Sequence, residues 1–490
     1  MKKIIIYICL LALPVLMTSC YEDLGNYEYT DINEIGIKGI DSSYVAYQGR
    51  IFQIQPELSF TLDQAGDPEH YEYEWVLHRV GGLVGDKEKI LGYEKDLNVD
   101  LTVPPGEYDA HYRVLDKETG VEFFWDFKVE VKSSVYEGWL VMSDVAGEAR
   151  LDMASLIEEE YEVIPDVLGY TGSSLHLEGA PGLVYCYGYD PTLYGVYVTS
   201  EGTGTTKIDP ETFDWSEDLR LSYEAIANFP AKLNADKIYS KGGYVSFMVK
   251  DNNIYYYYRT YQVKYGAPVN KVANESTSFK ASEFVSAGPG SITHSVFFDE
   301  DNKRFLRHLG ANNLEAAVMP NNATLFDYNI GMDLVFMTYT TYNNGEAFAI
   351  LKDGTTYHIA RMLQRNRNIR QVYFEEISVP GFEQAENFAI QPDFGYLFFN
   401  IGSKIYEYDV SSKVAHEMLD MAGREITHME FNSSSPVGSQ LIVALNDPSK
   451  PEGSTGSLEF YEVPAVNGQI VFDSKLEGFG KITGIAYRSR

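Results

Sequence analysis

From residue 134 onward, short apolar strands recur along this 490-residue chain, centred near Trp139, Val184, Val245, Val296, Leu334, Leu397 and Ile442 and spaced about 50 residues apart. Most are followed by a polar turn and a second strand, as in Val249-Lys250-Asp251-Asn252-Asn253-Ile254-Tyr255 and Phe399-Asn400-Ile401-Gly402-Ser403-Lys404-Ile405. A strand-turn-strand unit cannot bury both of its faces alone, so a repeat of this length must stack on its neighbours. Seven recurrences predict a β-propeller-like domain of about seven blades over residues 134–490. The apolar run from Gly478 to Tyr487 is expected to pair back near Gly138-Trp139-Leu140-Val141 and close the ring. Tandem sandwiches and an irregular all-β solenoid are the alternatives. Helical periodicity is scarce, the best candidates being Met153–Tyr161 and Ala415–Met421.

Residues 31–132 follow a different rule, strict alternation. In Tyr71-Glu72-Tyr73-Glu74-Trp75-Val76-Leu77 the odd positions are apolar, and Tyr108, Ala110, Tyr112, Val114 and then Phe123, Trp125, Phe127, Val129, Val131 repeat the pattern. Period two marks strands with one buried face. Gly81-Gly82, Pro104-Pro105-Gly106 and Lys117-Glu118-Thr119-Gly120 supply the turns, so the segment reads as a β-sandwich and the whole chain as all-β.

The chain opens with Lys2 and Lys3, an apolar run from Ile4 to Leu16, and then Met17-Thr18-Ser19-Cys20. A basic start, an h-region of this length and small residues before a break are the parts of a secretory signal, and the run is too short to span a bilayer. Ending on cysteine, residues 1–19 resemble a bacterial lipoprotein signal peptide, with Cys20 as the acylated mature N-terminus and 20–30 as the anchored linker. Glu22 and Asp23 directly after it resemble the surface-export signal of Bacteroidota lipoproteins. The opening Cys20-Tyr21-Glu22-Asp23-Leu24-Gly25-Asn26-Tyr27-Glu28-Tyr29, with the strand Tyr73–Leu77 and the segment Pro105 to Asp116, is similar to the PKD-like family of such lipoproteins. That resemblance implies an immunoglobulin-like sandwich serving as a spacer or docking module, without catalytic residues. It also implies an outer-membrane setting beside SusC/SusD-type uptake systems.

Net charge is −32, and loss of the leader with its two lysines makes it −34. A field of that sign repels polyanions, so nucleic acid is excluded as a general partner. Of three cysteines, Cys9 lies in the leader and Cys20 is the lipidation site, which leaves Cys186 in an apolar strand-like run and no disulfide in the mature chain.

Motifs for chemistry are missing. The histidines form no His-x-His or His-x-x-x-His pair, and no nucleophile elbow, Walker loop or dinucleotide fingerprint occurs, so no metal or cofactor is expected. Asp299-Glu300-Asp301-Asn302 fails the calcium-loop spacing and reads as a polar turn. Two segments depart from the background. Tyr255–Tyr258, with Tyr261 and Tyr265, put alternate rings on opposite strand faces, so Tyr256 and Tyr258 are candidates for ligand stacking or for packing between blades. Arg361, Arg365, Arg367 and Arg370 reverse the local charge and are candidates for contact with an anionic ligand or an acidic partner, or for balancing nearby carboxylates.

Together these features lead to the expectation of a non-catalytic surface lipoprotein, anchored in the outer membrane by its lipid. It would bind nutrient glycan or peptide, or assist a SusC/SusD-type importer. A propeller-type hydrolase or lyase, and a structural or adhesive protein, are the other classes.

Overall fold

In the computed structural model, residues 32–63, 68–81, 88–188, 194–226, 228–310, 313–433 and 435–489 are described. Cys20, Glu22 and Asp23 lie outside the described residues, as does the whole leader. The chain divides into two compact units, Met1–Lys132 and Ser133–Arg490.

The first unit is a sandwich. Its strands are β1 (Ile35–Lys38), β2 (Ser43–Tyr47), β3 (Ile51–Ile54), β4 (Glu57–Phe60), β5 (Tyr71–Arg79), β6 (Glu88–Gly92), β7 (Leu97–Asp100), β8 (Gly106–Asp116) and β9 (Glu122–Lys132). One sheet has the order β2-β9-β8-β5-β6, with β2 parallel to β9, and the pairs β1-β4 and β3-β7 supply the other layer. The alternation seen in sequence is the inside–outside alternation of these strands. Trp75, Leu77, Tyr112 and Val129 share one core with Ile37, Phe52, Ile54 and Leu97 of the other layer. Trp75 stacks on Tyr112 with ring centroids 4.1 Å apart.

The second unit is a propeller whose described residues form seven sheets. Blade 1 holds β10 (Gly138–Val145), β11 (Glu148–Ile157) and β12 (Glu160–Ile164), followed by the short helix α1 (Val167–Thr171). Blade 2 holds β13 (Pro181–Gly188), β14 (Tyr194–Ser200) and β15 (Gly204–Ile208), and blade 3 holds β16 (Lys237–Ser240), β17 (Val245–Lys250) and β18 (Asn253–Tyr258). Blade 4 has β19 (Ser295–Asp299), β20 (Arg304–His308) and β21 (Ala316–Val318). Blade 5 has β22 (Asp333–Thr340), β23 (Glu346–Asp353), β24 (Thr356–Arg365) and β25 (Asn368–Ile377). Blade 6 has β26 (Ala385–Ile390), β27 (Leu397–Ile401), β28 (Lys404–Asp409) and β29 (Val414–Asp420), and blade 7 has β30 (Glu425–Glu430), β31 (Leu441–Asn446), β32 (Gly456–Glu462) and β33 (Val471–Phe479). The last strand, β34 (Lys481–Arg488), returns to blade 1 and pairs antiparallel with β10, Trp139 opposite Tyr487.

Every blade is buried on both faces, so its central strands read as unbroken apolar runs. Leu140 and Met142 pack with Val196 and Val198 of blade 2, whereas Trp139 and Val141 turn the other way, onto Ile442 and Phe460 of blade 7. The same division recurs around the ring. Phe247 meets Phe297, Phe298 meets Met337, Phe348 meets Phe399, and Phe398 meets Val443. Each such side chain removed from water contributes about 1.5–3 kcal/mol, and the closed circuit leaves no blade face exposed.

The expected helices at Met153–Tyr161 and Ala415–Met421 are corrected to strands. Met153 and Ala154 sit in β11, one packed toward blade 2 and the other toward blade 7. The glutamates that favour a helix instead turn the β11–β12 hairpin, Glu158 and Glu159 both adopting positive φ. Residues 415–420 lie in β29, paired with β28. Burial between sheets outweighs the intrinsic helix preference of a few residues. The Asp299–Asn302 segment is a hairpin turn, its Asp299 carboxylate held by Arg304 and Asn302.

Candidate functional site

The innermost strands, β34, β13, β16, β22, β26 and β30, surround the propeller axis, with contacts of β34 to β13, β13 to β16, β22 to β26, β26 to β30 and β30 to β34. In blade 4 the segment 281–286 takes this place, bridging to β19 through Ala281–Asp299 and Ser286–Val296. Two cavities lie along this channel. The first, 780 Å³, is walled by the early residues of β13 and β16 and by Thr483–Ile485 of β34. The second, 410 Å³, is walled by Lys237 and Tyr239 of β16 and by the late residues of β22, β26 and β30. Lys237 and His428 belong to both walls and mark where they meet.

The second cavity is aromatic. Phe284, Phe336 and Phe388, from blades 4, 5 and 6, form a continuous arc, with centroids 5.5 Å apart for the first pair and 5.6 Å for the second. Phe431 of blade 7 continues the wall, braced by Phe398 at 5.5 Å. These rings are half-buried because they have core on one side and the cavity on the other. Polar groups stand among them. Tyr239 donates to the Glu283 carbonyl at 2.8 Å, and burial raises the phenols of Tyr239 and Tyr339, so both remain protonated at neutral pH. His428 Nε2 lies 3.0 Å from Glu430 Oε2, and Asn432 donates to the other carboxylate oxygen at 3.2 Å. In the first cavity Lys250 pairs with Asp236 and Asp251. Lys237 is exposed and makes no ion pair with a described residue.

The residues singled out from sequence lie elsewhere. Tyr256 is buried in the interface of blades 3 and 4, its ring 5.6 Å from Phe247 and 4.9 Å from His308, so it packs blades together and does not face a ligand. Tyr258 is half-buried against the same cluster and meets Tyr261 edge-on at 4.9 Å. Tyr257 points the opposite way, into the interface of blades 2 and 3, where the Arg259 guanidinium lies over Tyr187 and Tyr257. Arg361 is held by the buried Glu346 at 2.8 Å and lies between Tyr342 and Phe348, which makes it a structural cation. Arg365, Arg367 and Arg370 are exposed on the β24–β25 hairpin, without ion pairs among the described residues. Cys186 is half-buried against the core shared by blades 1 and 2. Among the described residues no group of three or more His, Cys, Asp or Glu is placed to hold a metal ion.

The channel residues carry a weak sequence signal. Phe336, Phe388 and His428 each sit on the strand preceding a fully buried apolar strand, and that adjacency is what could have marked them.

Residues 20–180 match the PKD-like family. The match takes in the sandwich and runs on through β12 of the first blade. No curated protein sequence matches the chain. Among solved structures, the chain is similar to a quinonprotein alcohol dehydrogenase-like protein from Bacteroides thetaiotaomicron, at 12% identity and a TM-score of 0.43, over 91% of this chain and 96% of that one. It is also similar to a DUF4784 family protein from Bacteroides caccae, at 10% identity and a TM-score of 0.31, over 93% of this chain and 98% of the other.

Proposed function

We propose that this protein is a non-catalytic lipoprotein, anchored through Cys20 in an outer membrane and exported to the cell surface by Glu22 and Asp23, whose propeller channel binds nutrient glycan. The observation that carries the reading is the arc of Phe284, Phe336 and Phe388 beside Tyr339, Thr338 and Ser433 in one cavity. Half-buried rings offer flat apolar faces on which a sugar ring can stack, and the hydroxyl groups between them supply orientation. A cavity of this size takes one or two sugar residues, so a longer chain would enter by its end. An importer of the SusC/SusD type would be the recipient of the captured ligand, and a peptide is the alternative ligand.

A second reading has one observation in its favour. The His428–Glu430 pair on the channel wall is the kind of oriented imidazole that general acid–base chemistry uses, which keeps a hydrolase or lyase in view. One experiment separates the two: a glycan and peptide array on the purified full chain, with product analysis of every hit after prolonged incubation. Reversible binding with unchanged glycan supports capture. Turnover that disappears in His428→Gln supports the enzyme, and a hit confined to peptides overturns the glycan assignment.

A further inference from the structure

We infer that the channel's ligand is an anionic glycan, bearing carboxylate or sulfate groups, gripped by Lys237 inside the channel and by Arg365, Arg367 and Arg370 at the end of the ring where β22 finishes. This rests on the channel reading above and adds the charge class of the ligand.

The charged side chains that wall the second cavity are matched except at Lys237, and the first cavity also holds Glu201, which makes no ion pair with a described residue. Lys250 is neutralised by Asp236 and Asp251, and Glu430 has its two oxygens engaged by His428 and Asn432. Lys237 alone among these cations lacks a carboxylate, and it borders both cavities. In a protein with 71 acidic and 39 basic residues, a lysine without a counterion beside an aromatic wall is a place where a ligand's anion completes the pairing.

The arginine hairpin lies at the right end of the ring. β22 and β24 both run antiparallel to β23, so the β24–β25 turn stands at the same end as Thr340 and Thr341, which wall the second cavity. Pairing of Leu363 with Arg370 and of Arg365 with Asn368 sets Arg365 and Arg370 on one face of the hairpin, with Arg367 in its turn. The hairpin is fixed to blade 4. Gln364 donates to the Ser286 and His294 carbonyls, and His294 N–H donates to the Asn366 carbonyl at 2.8 Å. Further cations lie near this hairpin: burial, and to a smaller extent the charges of Arg307, Lys241 and Arg367, hold the His294 imidazole down to about 4. Tyr339, whose ring borders the cavity, reaches back toward Gly288 and Gly345, beside Gln364 of this hairpin. A polymer leaving the cavity on this side therefore meets cations.

The test is calorimetric titration of the full chain with three oligosaccharides of equal length: a galacturonate, a sulfated galactan and a neutral cello-oligosaccharide. Lys237→Met, the pair Arg365→Gln/Arg367→Gln, and Phe336→Ala/Phe388→Ala are titrated alongside. An anionic probe should bind about tenfold more tightly than the neutral one at low salt, and which of the two does so identifies carboxylate or sulfate. Lys237→Met should remove most of that advantage, and the arginine pair should lower both affinity and salt dependence. Equal binding of all three probes, unaffected by Lys237→Met yet lost in the phenylalanine variant, overturns the charge inference and leaves the channel reading standing. Sensitivity to the arginines without sensitivity to Lys237 overturns the two-part site. Absence of binding by every probe overturns the channel reading as well.

Discussion

Trp139 on β10 and Tyr487 on β34 face each other across the closing seam of the propeller, their rings edge to face with centroids 5.0 Å apart. Some 350 residues of chain separate them, and the contact joins the two ends of the ring. A chain ending at Gly478 lacks β34, exposes the edge of β10 and removes the cover from Val141 and Ile442. Such a truncation should lose cooperative unfolding of the 133–490 unit. Tyr487→Ala should cost about 3 kcal/mol, read as a shift in the urea midpoint.

The arginines of blade 5 should separate by role. Glu346→Gln leaves the half-buried Arg361 guanidinium without its counterion and should destabilise the protein by about 3 kcal/mol. Arg365→Gln and Arg367→Gln, at exposed sites, should each change stability by less than about 0.5 kcal/mol. Chemical denaturation of the three variants checks the contrast.

Much of the architecture was legible in the chain. Each of the seven apolar centres from Trp139 to Ile442 falls in a different sheet, and Gly478 to Tyr487 contains the strand that closes the ring. These features are readable because continuous burial leaves an uninterrupted apolar run. The site was not. Phe284, Phe336 and Phe388 are far apart in sequence and converge only when neighbouring blades stack, and the one local mark, that Phe336 and Phe388 precede a buried apolar strand, is too weak to set them apart from core aromatics. Tyr256 takes the packing alternative that its strand pattern left open, since a ring that fills the gap between blades and one that stacks on a ligand share the same alternation.

Glu407 on β28 should make stability fall with rising pH. Its carboxylate is buried, neither oxygen has a hydrogen-bond partner among the described residues, and burial together with Asp409 pushes its pKa from 4.5 to about 7. The folded state holds this proton more tightly than the unfolded chain. The contribution is therefore complete below pH 4.5, declines between 4.5 and 7, and is gone above 7. Glu407→Gln should stabilise the protein by on the order of 1–2 kcal/mol at pH 8 and by nothing at pH 4. Equal effects at both pH values would contradict this assignment.

His294 and His308 should act in the opposite sense. Burial is the main cause that lowers both to about 4, aided at His308 by Lys241 and His294. Both are neutral in the fold and protonate more readily when unfolded, so stability present above pH 6.5 is lost as pH falls from 6.5 to 4. Proton uptake on unfolding, measured by calorimetry in buffers of different ionisation enthalpy, should reach a maximum near pH 5. His308→Asn should reduce it.

The channel claim is tested most directly by a crystal structure of the protein soaked with the oligosaccharide that binds best in solution. The account predicts density for a sugar ring against Phe336 and Phe388, between the walls supplied by β22, β26 and β30, with an intact glycosidic chain. Density for that ligand on the outer blade strands or on the sandwich, with the Phe284–Phe336–Phe388 cavity empty, would contradict it.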